Sequence, residues 1–90
     1  MMNPIIEERK RRGRPYVPRN KFGLWLHNNM VEHGMRRSDV AEKLRVTGPY
    51  VSNHACGNRK PTFMNVVAYC WLFGNIDDPE EIWKLVDEKI

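Results

Sequence analysis

Cysteine is scarce, with only Cys56 and Cys70 in 90 residues. A disulfide scaffold would need more, and both lie within helical patterns, so a reduced, cytoplasmic protein is expected. Long apolar runs are missing as well. No stretch approaches the ~20 residues of a membrane span. The N-terminus lacks the apolar centre of a signal peptide and turns basic after Glu8. Neither a membrane nor export is expected. His27, His33, His54, Cys56 and Cys70 do not form a zinc spacing. His54 and Cys56 are two apart on one helix and point in different directions. There is no Gly-rich phosphate loop, and no Ser or Cys nucleophile stands beside a placed base. An enzyme is not expected, and no cofactor is called for.

Acidic residues are rare over the first two-thirds of the chain, and that asymmetry is informative. Residues 1–21 hold seven Lys/Arg against two Glu, and residues 36–60 hold six against two. Residues 61–90 reverse the balance, with two Lys against six Asp/Glu. The net charge of +4 is thus concentrated in the N-terminal arm and the middle of the chain, which suits a polyanionic partner. The acidic group Asp77, Asp78, Glu80 and Glu81 is accounted for by helix capping and the helix dipole. Ninety residues make one domain, and 41% hydrophobic content supplies a modest core.

The stretch Arg37 to Lys60 reads as a helix, a tight turn, a second helix and a loop. Val40, Ala41 and Leu44 face inward on the first helix. Thr47 caps the second, Pro49 suits its first turn, and Val51, His54 and Ala55 turn inward. Gly57 ends it. Small Ala41 lets the two helices approach, and Val40, Leu44, Val46 and Val51 form the seam behind the turn. This spacing is that of a helix-turn-helix, with the face from Thr47 to Asn53 left outward. In the following loop Arg59 and Lys60 suit a phosphate backbone, as does Arg37 at the start of the first helix. The plain alternative for Arg37 is a surface residue.

Other helices frame this unit. Asn20 caps a first helix running to His33, with Phe22, Trp25, Leu26 and Met30 on one face and Gly34 as the stop. His27 and His33 are expected to be solvated. Thr62 opens a helix over Phe63–Phe73, ended by Gly74, with Phe63, Val66, Val67, Cys70 and Phe73 as its apolar stripe. Asp78-Pro79-Glu80-Glu81 opens the last one, with Asp as cap, Pro at the first helical position and Glu three residues on. Ile82, Leu85, Val86 and Ile90 then face one way. With Trp71 or Trp83 they form a dimer surface or close the core.

Residues 1–19 read as a basic arm, disordered when free, and residues 20–90 as the folded domain. Pro4, Pro15 and Pro18 forbid a continuous helix there. Arg12-Gly13-Arg14-Pro15, preceded by Arg11, resembles the core of an AT-hook. Such a segment lies flat in a narrow minor groove, with Gly allowing close approach and Arg drawn to the groove floor. A solvated basic tail that adds only non-specific affinity is the alternative.

On Ala41, Leu44, Val46, Val51, Gly57 and Pro61, residues 22–76 resemble the lambda-repressor-like (Cro/repressor, XRE-type) helix-turn-helix family of bacteria and phages. The resemblance implies an all-α, compact five-helix domain whose third helix enters the major groove of double-stranded DNA. It also implies a homodimer on a palindromic operator. Five residues depart from the pattern. Arg45 stands where the family has Gly in the turn, which strains the chain if that position has positive φ. Arg36 replaces the usual Ser/Thr cap. His54 takes an apolar core position and is expected to be a satisfied, partly buried histidine. Gly48 and Pro49 open the recognition helix without side-chain hydrogen bonds, although Pro49 can pack on a thymine methyl. Direct readout then falls on Thr47, Tyr50, Ser52 and Asn53, and Asn can bond adenine in a bidentate way. The expected function is a transcription regulator, a repressor by default, reading A/T-containing DNA. An architectural DNA binder of low sequence preference and a protein-binding adaptor or antitoxin are the alternatives.

Overall fold

The computed structural model describes residues 16–90. Five α-helices follow one another: α1 (Lys21–Glu32), α2 (Arg37–Leu44), α3 (Gly48–Cys56), α4 (Phe63–Leu72) and α5 (Pro79–Lys84). A single 3-10 turn over Leu85–Asp87 extends the last. The domain is compact and all-α, and no strand occurs among the described residues.

Local chemistry sets the helix ends. The side chains of Asn20, Thr47, Thr62 and Asp78 each accept a backbone N–H of the first turn that follows. α2 starts differently. Arg36 has no side-chain acceptor, and Asp39 reaches back to accept the Arg36 N–H at 2.9 Å. That bond, helped by the Arg36 guanidinium, holds the exposed Asp39 carboxyl below its usual range. The turn between α2 and α3 does need positive φ, because Arg45 sits at φ 61°, ψ 43°. There the Arg45 N–H donates to the Glu42 carbonyl and the Val46 N–H to the Ala41 carbonyl, at a backbone cost of about 1–2 kcal/mol for an L-residue. Arg45→Gly removes this cost but loosens the unfolded chain, by about 0.4–1 kcal/mol for such a change. The net expectation is a gain of about 0.5–1 kcal/mol, read as a higher urea midpoint; a lower midpoint would show that Arg45 earns its place through contacts.

The core forms where the helix faces meet. Phe22, Leu26 and Met30 from α1, Val40 and Ala41 from α2, Val51 and Ala55 from α3, and Val66, Tyr69, Cys70 and Phe73 around α4 are buried, closed by Ile82 and Val86. Full burial of each large apolar side chain contributes about 1.5–3 kcal/mol. α2 packs on α3, α1 on α3 and on the final turn, and α4 on α5. Gly23 makes the α1–α3 approach possible: a Cβ there would stand 2.3 Å from the Ala55 carbonyl oxygen. The C-terminus returns to the start of α1, where the Lys21 N–H donates to the Glu88 carbonyl at 2.8 Å and Lys21 pairs with Glu88.

Several apolar positions differ from expectation. Trp25 is only half-buried, because its Nε1–H donates to Asp77 at 2.9 Å at the protein surface. Asp77 is therefore a tertiary partner as well as a member of the acidic group. Phe63 is exposed along one side and meets Trp83 edge-on at 5.8 Å. Ile90 is 66% exposed, since α5 stops at Lys84 and the chain turns away. Leu44 and Val46 are half-buried at the rim of the core.

His54 is almost fully buried, and its Nδ1 shares a 2.7 Å hydrogen bond with the Tyr69 hydroxyl. Burial, and then the Arg59 charge, lowers its pKa below the ordinary value. The half-buried His27 is lowered in the same way, by burial and then by Arg37. The folded state thus favours neutral rings, while the unfolded chain takes up protons near pH ~6.5. Stability is complete above that pH and falls as pH drops through it toward the folded-state values. Urea midpoints should decline between pH 7.5 and 5, well above the range where Asp39 titrates; a flat profile over that interval would refute this account.

Candidate nucleic-acid interface

The turn at Arg45 swings α3 across α2 so that Val51, His54 and Ala55 go inward. The remaining face of α3 carries Thr47 and Pro49, both exposed, with Gly48, Tyr50, Ser52 and Asn53 at intermediate exposure. A Cβ added to Gly48 would meet nothing within 4 Å, so no intramolecular packing demands glycine there. Thr47 Oγ1 accepts the Tyr50 N–H at 3.3 Å, which leaves the hydroxyl proton to donate outward.

The structure divides the expected base-reading residues. Tyr50 is held from two sides: Asn65 Nδ2 donates to its hydroxyl at 3.0 Å, and its ring meets His54 edge-on at 4.7 Å. Asn65 is itself fixed by reciprocal bonds with Thr62. Ser52 Oγ accepts from the Arg37 guanidinium at 3.3 Å. Asn53 differs, because no hydrogen bond engages its side-chain amide among the described residues. Its backbone carbonyl instead accepts the N–H groups of Asn58 and Arg59, at 2.9 and 3.3 Å. That ties the loop carrying Arg59 directly to the end of the α3 face.

The expected phosphate residues also separate. Arg59 is exposed, with no ion-pair partner among the described residues. Lys60 pairs with Asp87 at 2.9 Å and lies 6.0 Å from the Trp83 ring centre. This contact with the returning C-terminus is visible only in the tertiary structure. Both partners are exposed, so the pair is worth little and remains breakable. Arg37 spends one N–H on Ser52 and covers the Tyr16 ring at 5.5 Å. Its other guanidinium N–H groups make no hydrogen bond among the described residues. Arg11, Arg12, Gly13, Arg14 and Pro15, the minor-groove candidates, lie outside the described residues.

Tyr16 was missed in the sequence, where it falls inside the arm. Its hydroxyl lies 2.8 Å from the Gly23 carbonyl and 2.9 Å from the Ala55 carbonyl, a bifurcated donor at the α1–α3 crossing. Its ring stacks on His27 at 4.0 Å, so His27 is half-covered rather than solvated. Burial pushes the Tyr16 hydroxyl up to about 12, which keeps it protonated and donating. Tyr16 therefore packs against the helices at the α1–α3 crossing. The one available signal was a lone Tyr between Pro15 and Pro18 in an otherwise polar segment.

No group of three or more His, Cys, Asp or Glu among the described residues could hold a metal ion. One depression, about 810 Å³, lies among His33, Met35, Lys43, Trp71, Leu72, Gly74 and Asn75 and includes none of the candidate DNA-contacting residues. No family model matches the chain, and no curated protein or solved structure matches it.

Proposed function

We propose that the chain is a sequence-specific double-stranded-DNA-binding regulator of the lambda-repressor-like, helix-turn-helix type. The observation that carries the reading is the α2–α3 unit. Its left-handed turn at Arg45 and the buried Ala41 and Val51 seat α3 with Thr47, Pro49 and Asn53 outward and Arg59 hydrogen-bonded to its end. A helix so presented fits the major groove, while Arg59 and the remaining N–H groups of Arg37 meet phosphates. The basic arm adds a minor-groove contact, and the protein acts as a dimer on a palindromic site. Repression by occlusion is the default mode, in the cytoplasm.

Among the α3 side chains Asn53 carries the readout, because its amide offers a donor and an acceptor together, whereas Tyr50 and Ser52 each already accept an intramolecular bond and have a hydroxyl proton left to give. Asn53→Ala should reduce affinity for a selected duplex by about 1–3 kcal/mol, roughly 5- to 150-fold, and leave affinity for a scrambled duplex nearly unchanged. Titration of both duplexes at several salt concentrations tests the variant and the proposal together. An equal loss on both duplexes would remove Asn53 from base recognition. Failure of the native protein to bind either duplex at low salt would overturn DNA binding.

One observation favours a second reading, an architectural binder with little sequence preference. Tyr50 and Ser52 are already engaged, which leaves few base-reading groups on α3. Equal affinity of the native protein for selected and scrambled duplexes would establish it.

A further inference from the structure

Tyr16 stands immediately after the basic segment Arg9–Pro15 and is fastened to the domain from three directions. Its hydroxyl meets the backbone carbonyls of Gly23 and Ala55, its ring stacks on His27, and the Arg37 guanidinium covers it. Arg37 in turn donates to Ser52 on α3. A direct chain of contacts therefore links the root of the arm to the helix that faces the major groove. A tyrosine is not needed there to fill the core, since its ring lies at the margin and is only partly covered.

Resting on the DNA-binding reading above, we infer that Tyr16 is a positioning residue that fixes the origin of the arm, so that arm and α3 read DNA at a set spacing. The argument is one of chain length. From Tyr16 to Arg12 is four residues, at most about 13 Å of chain at ~3.3 Å each. At 3.4 Å per base pair, the arm's contacts then fall within about 4 base pairs of its root. With Tyr16 undocked, the next anchor is Asn20, which bonds Val86 and caps α1. The tether becomes eight residues, about 26 Å, and spans about 8 base pairs. Doubling a tether also lowers the effective concentration of its end by about threefold.

The test is selection from a randomised duplex pool with the native chain, with Tyr16→Ala, and with a Gly-Ser-Gly insertion between Pro15 and Tyr16. The native chain should enrich an A/T tract at one offset from the α3 half-site. Tyr16→Ala should keep the half-site, spread the tract over roughly twice the width and weaken its contribution about threefold. The insertion leaves every docked contact of Tyr16 in place and should widen the window by about 3 base pairs, so it carries the test if Tyr16→Ala fails to fold. An A/T window unchanged in either folded variant overturns the inference, as does a native half-site without any A/T tract at a fixed offset; DNA binding then still stands. Enrichment of no sequence by the native chain overturns sequence-specific recognition itself.

Discussion

Gly23→Ala should lower the melting temperature by roughly 10–20 °C. The added Cβ would lie 2.3 Å from the Ala55 carbonyl oxygen and 3.1 Å from its carbon. Those atoms are backbone in the last turn of α3, so no side chain can swing aside. Relief requires α1 and α3 to part. That disturbs Phe22, Leu26, Val51 and Ala55, all fully buried around the crossing. It also pulls apart the two carbonyls that Tyr16 binds together. Overpacking of this kind costs about 1–3 kcal/mol, and a rigid backbone obstacle puts it at the upper end. For a domain of this size each kcal/mol is worth about 4–8 °C. The higher helix propensity of alanine returns at most about 1 kcal/mol. Gly48→Ala is the matched control, since its Cβ meets open space. Thermal unfolding followed by circular dichroism measures both; a Gly23→Ala midpoint within a few degrees of the native one would show that the crossing is not tight.

If the proposed DNA binding holds, deleting residues 1–15 should flatten its salt dependence. The deletion removes Arg9, Lys10, Arg11, Arg12 and Arg14 together with Glu7 and Glu8. Each phosphate neutralised contributes a slope of about 0.9 in log affinity against log salt. If all five cations engage phosphates, the slope drops by about 4.5. Between 50 and 200 mM salt the advantage of the full chain then shrinks by up to about 10²–10³-fold. The deletion should also cost more on duplexes with A/T flanks than on G/C flanks, because narrow A/T minor grooves concentrate negative potential. Binding titrations on the two flanks across salt concentrations check both statements. A lower slope with equal losses on both flanks would mean that the arm is only a charge tail. An unchanged slope would mean that the arm does not reach the phosphates at all.

Most helix boundaries were legible because they are local matters. Asn20, Thr47, Thr62 and Asp78 cap helices through bonds that span two or three residues. Gly34, Gly57 and Gly74 follow helix ends with positive φ, which a chain without Cβ adopts at little strain. Arg45 stands out in the sequence only through the resemblance, which implies Gly at that position of the turn, and its φ of 61° is where an L-residue is strained. The inward residues of α2 and α3 follow from helical period, as does most of the α1 face.

What the sequence by itself determined, then, is which segments become helices, where they stop and which stripe of each is apolar. These are contests between neighbours three or four residues apart, and the side-chain types settle them. Only the tertiary structure decided which outward residues are already engaged. Tyr50 is held by Asn65 and Ser52 by Arg37, each pair 15 residues apart. Tyr16 reaches Ala55 across 39 residues, and Trp25 reaches Asp77 across 52. No local period encodes such pairs, because they exist only once the helices have packed. Packing is also what separates Asn53 and Arg59 from Tyr50, Ser52 and Lys60: all are polar in the sequence, but only the last three side chains make intramolecular hydrogen bonds or ion pairs among the described residues.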